Sequence, residues 1–363
     1  MKILMHIGVL GGGGAERVFA ILANQFALEG HDIILLLNEE VVHEYPVDCR
    51  VRKVYLSKKI KRGVLKENYY RIKTIREIAK KENVDVMLAF MPESNIRVIL
   101  ASIGLKRIVI VSERANPNKI YKKGINKFIV NIILSMASGI VVQTEEIREW
   151  YSKQIQNKII VLPNPVSEEF IKKTWIPHSC SKNIVAVGRL SESKNFGLLI
   201  KAMSTVIEEL PDCKLNIYGD GPLKSYLQSE INKAKLGEQI ILHGKSINII
   251  DKLLESDLYV LSSISEGMPN SLIEALCVGM PCVATDCLGG GARALIKTGE
   301  NGYLVKNDDV DSLANGIICL LQDRDMRLKY AKAAKKNACL YSEEEIAKLW
   351  ISFIKKCGSC NNE

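Results

Sequence analysis

The side chains best suited to chemistry lie in one run, Ser265-Glu266-Gly267-Met268-Pro269-Asn270-Ser271-Leu272-Ile273-Glu274-Ala275. Pro269 and Asn270 suit the first positions of a helix, and Gly279 suits its stop. The unpaired N–H groups of Asn270, Ser271 and Leu272 would then hold a phosphate. Glu266 falls in the loop before that helix and Glu274 in its second turn. One carboxylate is thus expected on either side of the phosphate position, each an acceptor for paired hydroxyls. A nucleotide sugar carries hydroxyls on both sides of its diphosphate, ribose on one and hexose on the other.

Other turns point the same way. Val187-Gly188-Arg189-Leu190, followed by Lys194-Asn195, ends an apolar run, and Arg189 and Lys194 there suit neutralisation of a departing diphosphate. Ile217-Tyr218-Gly219-Asp220-Gly221-Pro222 reads as a second strand-end turn on that edge. Singly, each also reads as a surface turn or an ion pair; jointly, in this order, they describe a site. The glycines Gly11–Gly14 open a helix, and their free N–H groups suit an anion or diphosphate, the plain alternative being a tight turn. They fail the dinucleotide fingerprint, because Glu16 or Arg17 stands where its third glycine belongs. Gly244-Lys245-Ser246 is no phosphate loop either, since Gln239 replaces the upstream glycine.

These turns need strands and helices to hold them. Continuous apolar runs, the mark of strands buried on both faces, are expected at Lys2–Gly8, Asp32–Leu37, Val84–Ala89, Ile108–Ser112, Gly139–Val142 and Ile159–Leu162. Helical stretches alternate with them, and Ala15–Leu28 spaces Val18, Leu22 and Phe26 along one face. Leu162–Lys182 holds Pro163, Pro165 and Pro177 and reads as an interdomain linker. A second series follows at Ile184–Gly188, Lys214–Tyr218, Ile240–Leu242, Leu258–Leu261 and Pro281–Ala284, then helix from Val310 to about Phe353. The expectation is two doubly wound parallel sheets facing across a cleft. Residues 1–165 with a returning helix 341–363 form the first domain, and 166–340 the second.

The set Val187–Leu190 with Lys194-Asn195, Tyr218-Gly-Asp-Gly-Pro222, and the two glutamates eight apart in Ser265–Ala275 resembles the family-4 retaining glycosyltransferases of GT-B fold. Gly13-Gly14-Ala15-Glu16-Arg17 resembles the branch that builds bacterial surface glycans and lipid-linked oligosaccharides. The resemblance implies a nucleotide-diphosphate-sugar donor, a UDP-sugar, on the second domain. It implies a glycan or polyprenyl-diphosphate-linked acceptor on the first, and an α-linkage formed with retention. It assigns the ribose to Glu274, the donor sugar to Glu266 and the diphosphate to Arg189 and Lys194. Gly13 and Gly14 would close over the diphosphate, and Gly244, Lys245 and Ser246 would lie against the base. Many relatives carry a His where Ser112-Glu113-Arg114-Ala115-Asn116-Pro117 places Arg114; Arg114 is expected to bind a donor or acceptor phosphate, or else to pair with Glu113 or another surface acid. A GT-B sugar-nucleotide epimerase and a non-catalytic partner subunit are the alternatives; the paired glutamates argue against the first and the retained clamp residues against the second.

Composition bounds the rest. The 363 residues are 47% hydrophobic and 25% charged, a globular mix that excludes wholesale disorder. The longest mostly apolar run, Phe128–Val142, is too short and too interrupted to span a bilayer, and the N-terminal run reads as a buried strand rather than a signal peptide. Net charge is +9, but Arg50–Lys81 alone holds thirteen bases and two acids, leaving −2 elsewhere. Together with four lysines at Lys119–Lys127, this block reads either as a solvated helix face or as a site for an anionic partner; with no nucleic-acid motif beside it, the partner expected is an anionic membrane surface, on the inner face of the plasma membrane from the cytoplasm. The ten cysteines are scattered, as expected of buried thiols in a reducing compartment; the lone Cys357–Cys360 pair is a weak metal signal. Asp309-Val-Asp311 and Asp323-Arg-Asp325 read as helix caps rather than metal ligands. His31, His43, His178 and His243 show no ligand spacing. No cofactor is expected.

Overall fold

A computed structural model describes residues 1–56, 63–114, 116–121, 125–177, 182–246 and 248–359. They divide into two compact units, Met1–Pro165 with Glu343–Glu363, and Val166–Ser342. The first unit has seven strands: β1 (Lys2–Ile7), β2 (Asp32–Leu37), β3 (Arg52–Tyr55), β4 (Val86–Phe90), β5 (Ile108–Ser112), β6 (Gly139–Val142) and β7 (Ile159–Val161). They pair in parallel in the order β3-β2-β1-β4-β5-β6-β7. The second unit has β8 (Asn183–Val187), β9 (Lys214–Tyr218), β10 (Ile240–Gly244), β11 (Leu258–Leu261), β12 (Cys282–Thr285) and β13 (Tyr303–Val305). These are also parallel, in the order β10-β9-β8-β11-β12-β13. The winding reverses between β1 and β4 and again between β8 and β11, where open sheets of this type bind ligands beyond the strands' carboxyl ends.

Helices cover both faces of each sheet, which is why the central strands are apolar without alternation. In the first unit, Ile3, Met5 and Ile7 face the helices Gly14–Leu28 and Glu343–Ser359, with Phe19, Phe26 and Trp350 between them. Leu4, Ile34 and Leu36 face the helices Gly63–Lys81, Pro92–Ser102 and Ile125–Ser135 through Ile75, Val98 and Val130. The Trp350 ring lies 5.5 Å from that of Phe90, which meets Phe19 at 4.6 Å. In the second unit, the helices Phe196–Glu209 and Val310–Gln322 cover one face, and Asn270–Cys277 and Arg324–Lys336 the other.

Several expectations are corrected. The break falls after Pro165, the boundary expected, but the proline-rich stretch beyond it is no free linker, because Val166 and Trp175 are buried in the second unit. Trp175 donates its indole N–H to the Ser256 carbonyl at 2.7 Å, and its backbone N–H to Val278 at 2.7 Å. Lys335 Nζ donates to the carbonyls of Ile171 (2.6 Å), Lys173 (2.5 Å) and Cys277 (2.9 Å), tying the segment down. Residues 178–181 of that stretch, His178 among them, lie outside the described residues. The C-terminal helical region is interrupted at Asp323 and Asn337, and the returning helix starts at Glu343. Asp309 and Asp323 cap helices, accepting from Ser312 N and Met326 N.

The basic block is also less bare than its composition. Arg50 pairs with Asp48, Arg52 with Glu82 and Lys53 with Glu44, acids that flank the counted stretch. Arg71 and Lys73 pair with the two acids inside it, Glu67 and Glu77. Lys58, Lys59, Lys61 and Arg62 lie outside the described residues, as do Lys122, Lys123 and Cys360. No helix among the described residues is long and apolar enough to cross a membrane.

Candidate active site

In the second unit the strand-end turns lie edge to edge. Gly188 N donates to Tyr218 O, Leu190 N to Asp220 O and Gly219 N to Gly244 O, at 3.0, 3.0 and 2.8 Å. A Cβ at Gly219 would run into the Gly188 carbonyl oxygen, and one at Gly221 into Leu190 O. Glycine is therefore required where these backbones touch. The turn after β8 continues into a short 3-10 helix, Glu192–Lys194. Ser262 Oγ donates to Lys194 O (2.9 Å) and Ile264 N to Ser193 O (2.9 Å), so this turn is laced to the loop after β11.

That lacing brings the sequence-selected charges together. Lys194 Nζ lies 2.7 Å from Glu266 Oε1, which also accepts from Ser263 Oγ at 2.8 Å. Their side chains are 19% and 17% exposed, so water screens the pair only partly. Gly267 O meets Gly291, where a side chain would not fit. The helix Asn270–Cys277 follows with Pro269 as its N-cap. Ser271 Oγ accepts from Tyr259 OH (2.7 Å) and donates to Val187 O (3.2 Å), which fixes the helix start against the ends of β8 and β11. Met268 and Leu272 are buried in the adjoining core and Glu274 is buried on the helix. Arg189 and Lys245 are exposed, and Ser246 is half-buried beside Gly244. Among the described residues the Arg189 guanidinium holds no carboxylate, which leaves it available to an incoming anion.

The first unit carries the remaining selected residues. Gly13 is the N-cap of Gly14–Leu28, and the Glu16 carboxylate folds back over it so closely that a Cβ at Gly13 would collide. Burial raises the Glu16 carboxyl pKa. Arg114 is buried, its guanidinium carbon 3.9 Å from the centre of the Phe90 ring and 5.5 Å from that of Trp350. It donates to Asn164 Oδ1 at 2.6 Å, which also receives Gln143 Nε2 at 2.8 Å. The pairing of Arg114 with Glu113 does not form. Glu113 instead receives Asn95 Nδ2 (2.7 Å) and Tyr121 OH (3.1 Å), and burial raises its pKa.

Besides the Arg114 contacts, three had no counterpart in the sequence reading: the Tyr259 support of Ser271, the Asn95–Glu113–Tyr121 cluster, and a stack of His243 on Tyr218. Those rings lie 4.6 Å apart at 11°, and His243 Nε2 meets Asn216 Oδ1 at 2.7 Å, beside the Gly244 turn. Only the neighbouring glycine turn hinted at the last. Among the described residues no group of three or more His, Cys, Asp or Glu is arranged to hold a metal ion.

Comparison with known proteins agrees with this layout. The family model described as glycosyltransferase family 4 matches residues 12–170, and that of glycosyl transferases group 1 matches residues 167–337. An N-acetylgalactosamine-N,N'-diacetylbacillosaminyl-diphospho-undecaprenol 4-alpha-N-acetylgalactosaminyltransferase of Campylobacter jejuni is 28% identical, over 97% of this chain and 99% of its own. Among solved structures, Anabaena HepE in complex with UDP superposes with a TM-score of 0.81 at 18% identity, covering 98% of this chain and all of that one (100%). Sucrose-phosphate synthase from Thermosynechococcus elongatus gives 0.82 at 15% identity, covering 99% and 100%.

Proposed function

Because the chain belongs to the family-4 glycosyltransferases, with their GT-B fold of two parallel-sheet units, we propose that it is a retaining hexosyltransferase. The donor is a UDP-sugar, and the acceptor a glycan or polyprenyl-diphosphate-linked saccharide of bacterial polysaccharide or glycoconjugate synthesis. The new bond is an α-linkage. The enzyme works in the cytoplasm, peripherally on the inner face of the plasma membrane. The lipid-linked substrate in the name of the Campylobacter relative and the UDP bound by HepE support these choices.

The observation that carries the reading is the Lys194–Glu266 pair beside the start of the Asn270–Cys277 helix. Breaking the sugar–phosphate bond sends its electron pair to the leaving UDP. Arg189, Lys194 and the helix start at Ser271 meet that charge. Glu266 exchanges its hold on Lys194 for the donor sugar's hydroxyls as the ring distorts. Glu274 takes the ribose, and the turn Gly244–Ser246 lies against the base. The acceptor hydroxyl attacks the anomeric carbon from the face the diphosphate leaves, and its proton passes to the departing phosphate oxygen. No metal is needed to absorb the charge.

The test is UDP release from a panel of UDP-sugars, with and without undecaprenyl-diphosphate-linked saccharides, in buffer with and without EDTA. Acceptor-dependent release that survives EDTA is expected, with an α-linked product. Activity lost to EDTA and restored by Mg²⁺ or Mn²⁺ would overturn the metal-free clamp. Release that ignores every acceptor would overturn the transfer reading.

A further inference from the structure

We infer that the first unit rests on the bilayer through apolar side chains of its helices Gly63–Lys81 and Ile125–Ser135, a contact made by insertion more than by charge. The inference builds on the proposed lipid-linked acceptor and names the surface that reaches it. Both helices pack against Pro92–Ser102 on one layer of the unit. Each follows the carboxyl end of a parallel strand, so their first turns share the sheet edge that carries the turns at Gly11–Gly14 and Glu113-Arg114.

Helix Ile125–Ser135 buries Val130 and Leu134 inward, yet turns Phe128, Ile129 and Ile132 to solvent, with Met136 just beyond. It is apolar on both faces, which a surface helix of a water-soluble unit avoids. Phe128 is 69% exposed; on the neighbouring helix Leu65 is 86% and Tyr69 70% exposed. Helix Ile125–Ser135 contains no acidic residue, and its one charge is Lys127. Lys66 stands exposed beside Leu65. Apolar side chains with lysines among them, and aromatic rings at the rim, match a surface of anionic headgroups over acyl chains. The ion pairs of Arg50, Arg52 and Lys53 with acids outside the stretch lower its balance from +11 to +8, while Arg71 and Lys73 pair with Glu67 and Glu77, already counted there.

The test is co-sedimentation of the full chain with vesicles of phosphatidylcholine alone and of phosphatidylcholine with phosphatidylglycerol, at low and high salt. Binding to both is expected, stronger with phosphatidylglycerol and largely retained at high salt. Phe128→Glu with Leu65→Glu should lower the partition by at least about tenfold without changing the melting temperature, since both side chains are mostly exposed to solvent. Absent binding, binding abolished by salt, or a double variant that binds like the parent would overturn the inference. So would self-association by this face in place of vesicle binding. UDP release on undecaprenyl-diphosphate-linked saccharides in detergent separates the two claims. Vesicle binding without use of any such acceptor sinks the acceptor reading alone; use of one without vesicle binding sinks the surface alone.

Discussion

Lys194 and Glu266 stand 72 positions apart in the chain and 2.7 Å apart in space. Each is the other's counter-charge, and the proposed reaction gives each a separate duty towards the donor. Removing one preorganised charge at a leaving group typically costs about 10²–10³ in rate. Lys194→Ala should lower turnover by about that factor, and Glu266→Ala should lower turnover as well. Glu274→Ala should act chiefly on donor affinity, because ribose contacts change little during reaction. Steady-state kinetics on UDP release separates kcat from KM, and near-normal turnover in both the Lys194 and Glu266 variants would remove the clamp. Arg114 belongs to a different class. With its guanidinium over the Phe90 ring and bonded to Asn164, Arg114→Ala should first cost stability, about 2–4 kcal/mol from a lost buried contact and the cavity left behind. Thermal melting reads this directly. An unchanged melting temperature with lost turnover would instead place Arg114 at the reacting centre. Its stack on Trp350 joins positions 236 apart, so no reading of local motif could have seen it.

At the scale of elements, what the chain made legible were the strands buried on both faces. Asp32–Leu37, Ile108–Ser112, Gly139–Val142, Lys214–Tyr218 and Leu258–Leu261 lie where continuous apolar runs place them. The two strands that escaped, Arg52–Tyr55 and Tyr303–Val305, each form one of the two edges of their sheet. Edge strands are short and often charged, because an apolar edge would recruit other chains; their pattern carries little signal. The glycine turns of the site were legible for the opposite reason, since close backbone contact leaves glycine no substitute. The docking of residues 166–177 was hidden by the prolines that bracket it, Pro163 and Pro165 before it and Pro177 at its end. Its anchor is Lys335, an ammonium bonded to three carbonyls and lowered in pKa by burial. Lys335→Met should leave those carbonyls without a donor and cost about 2–4 kcal/mol. A lower melting temperature together with faster proteolysis between Val166 and Pro177 is expected; an unaltered melt would mean that Trp175 alone holds the segment.

On the scale of the whole molecule, the second unit is one continuous span of chain, while the first is completed by residues from the far end. A chain stopped after Ser342 should therefore lose the first unit's order and keep the second's. Ile346, Trp350 and Ile354 would leave a groove beside the helix Gly14–Leu28 and over β5 and β6, and losing a buried Trp alone costs about 3–5 kcal/mol. The truncated chain should still bind UDP by calorimetry while its first-unit amides exchange freely. A truncated protein with native protection in both units would contradict this division.

The same discontinuity sets a timetable for synthesis. Residues 1–165 leave the ribosome before residues 166–342, and the helix that roofs Phe19, Phe26 and Phe90 is made only after both. About 177 residues separate the two, on the order of 10–35 s at common elongation rates. For that interval the nascent first unit presents an uncovered apolar face, while the second unit can fold behind it. The part translated earliest finishes latest. A chaperone that shields nascent chains would have its main client here in the N-terminal half, and any slowing of translation through the second unit would lengthen that exposure.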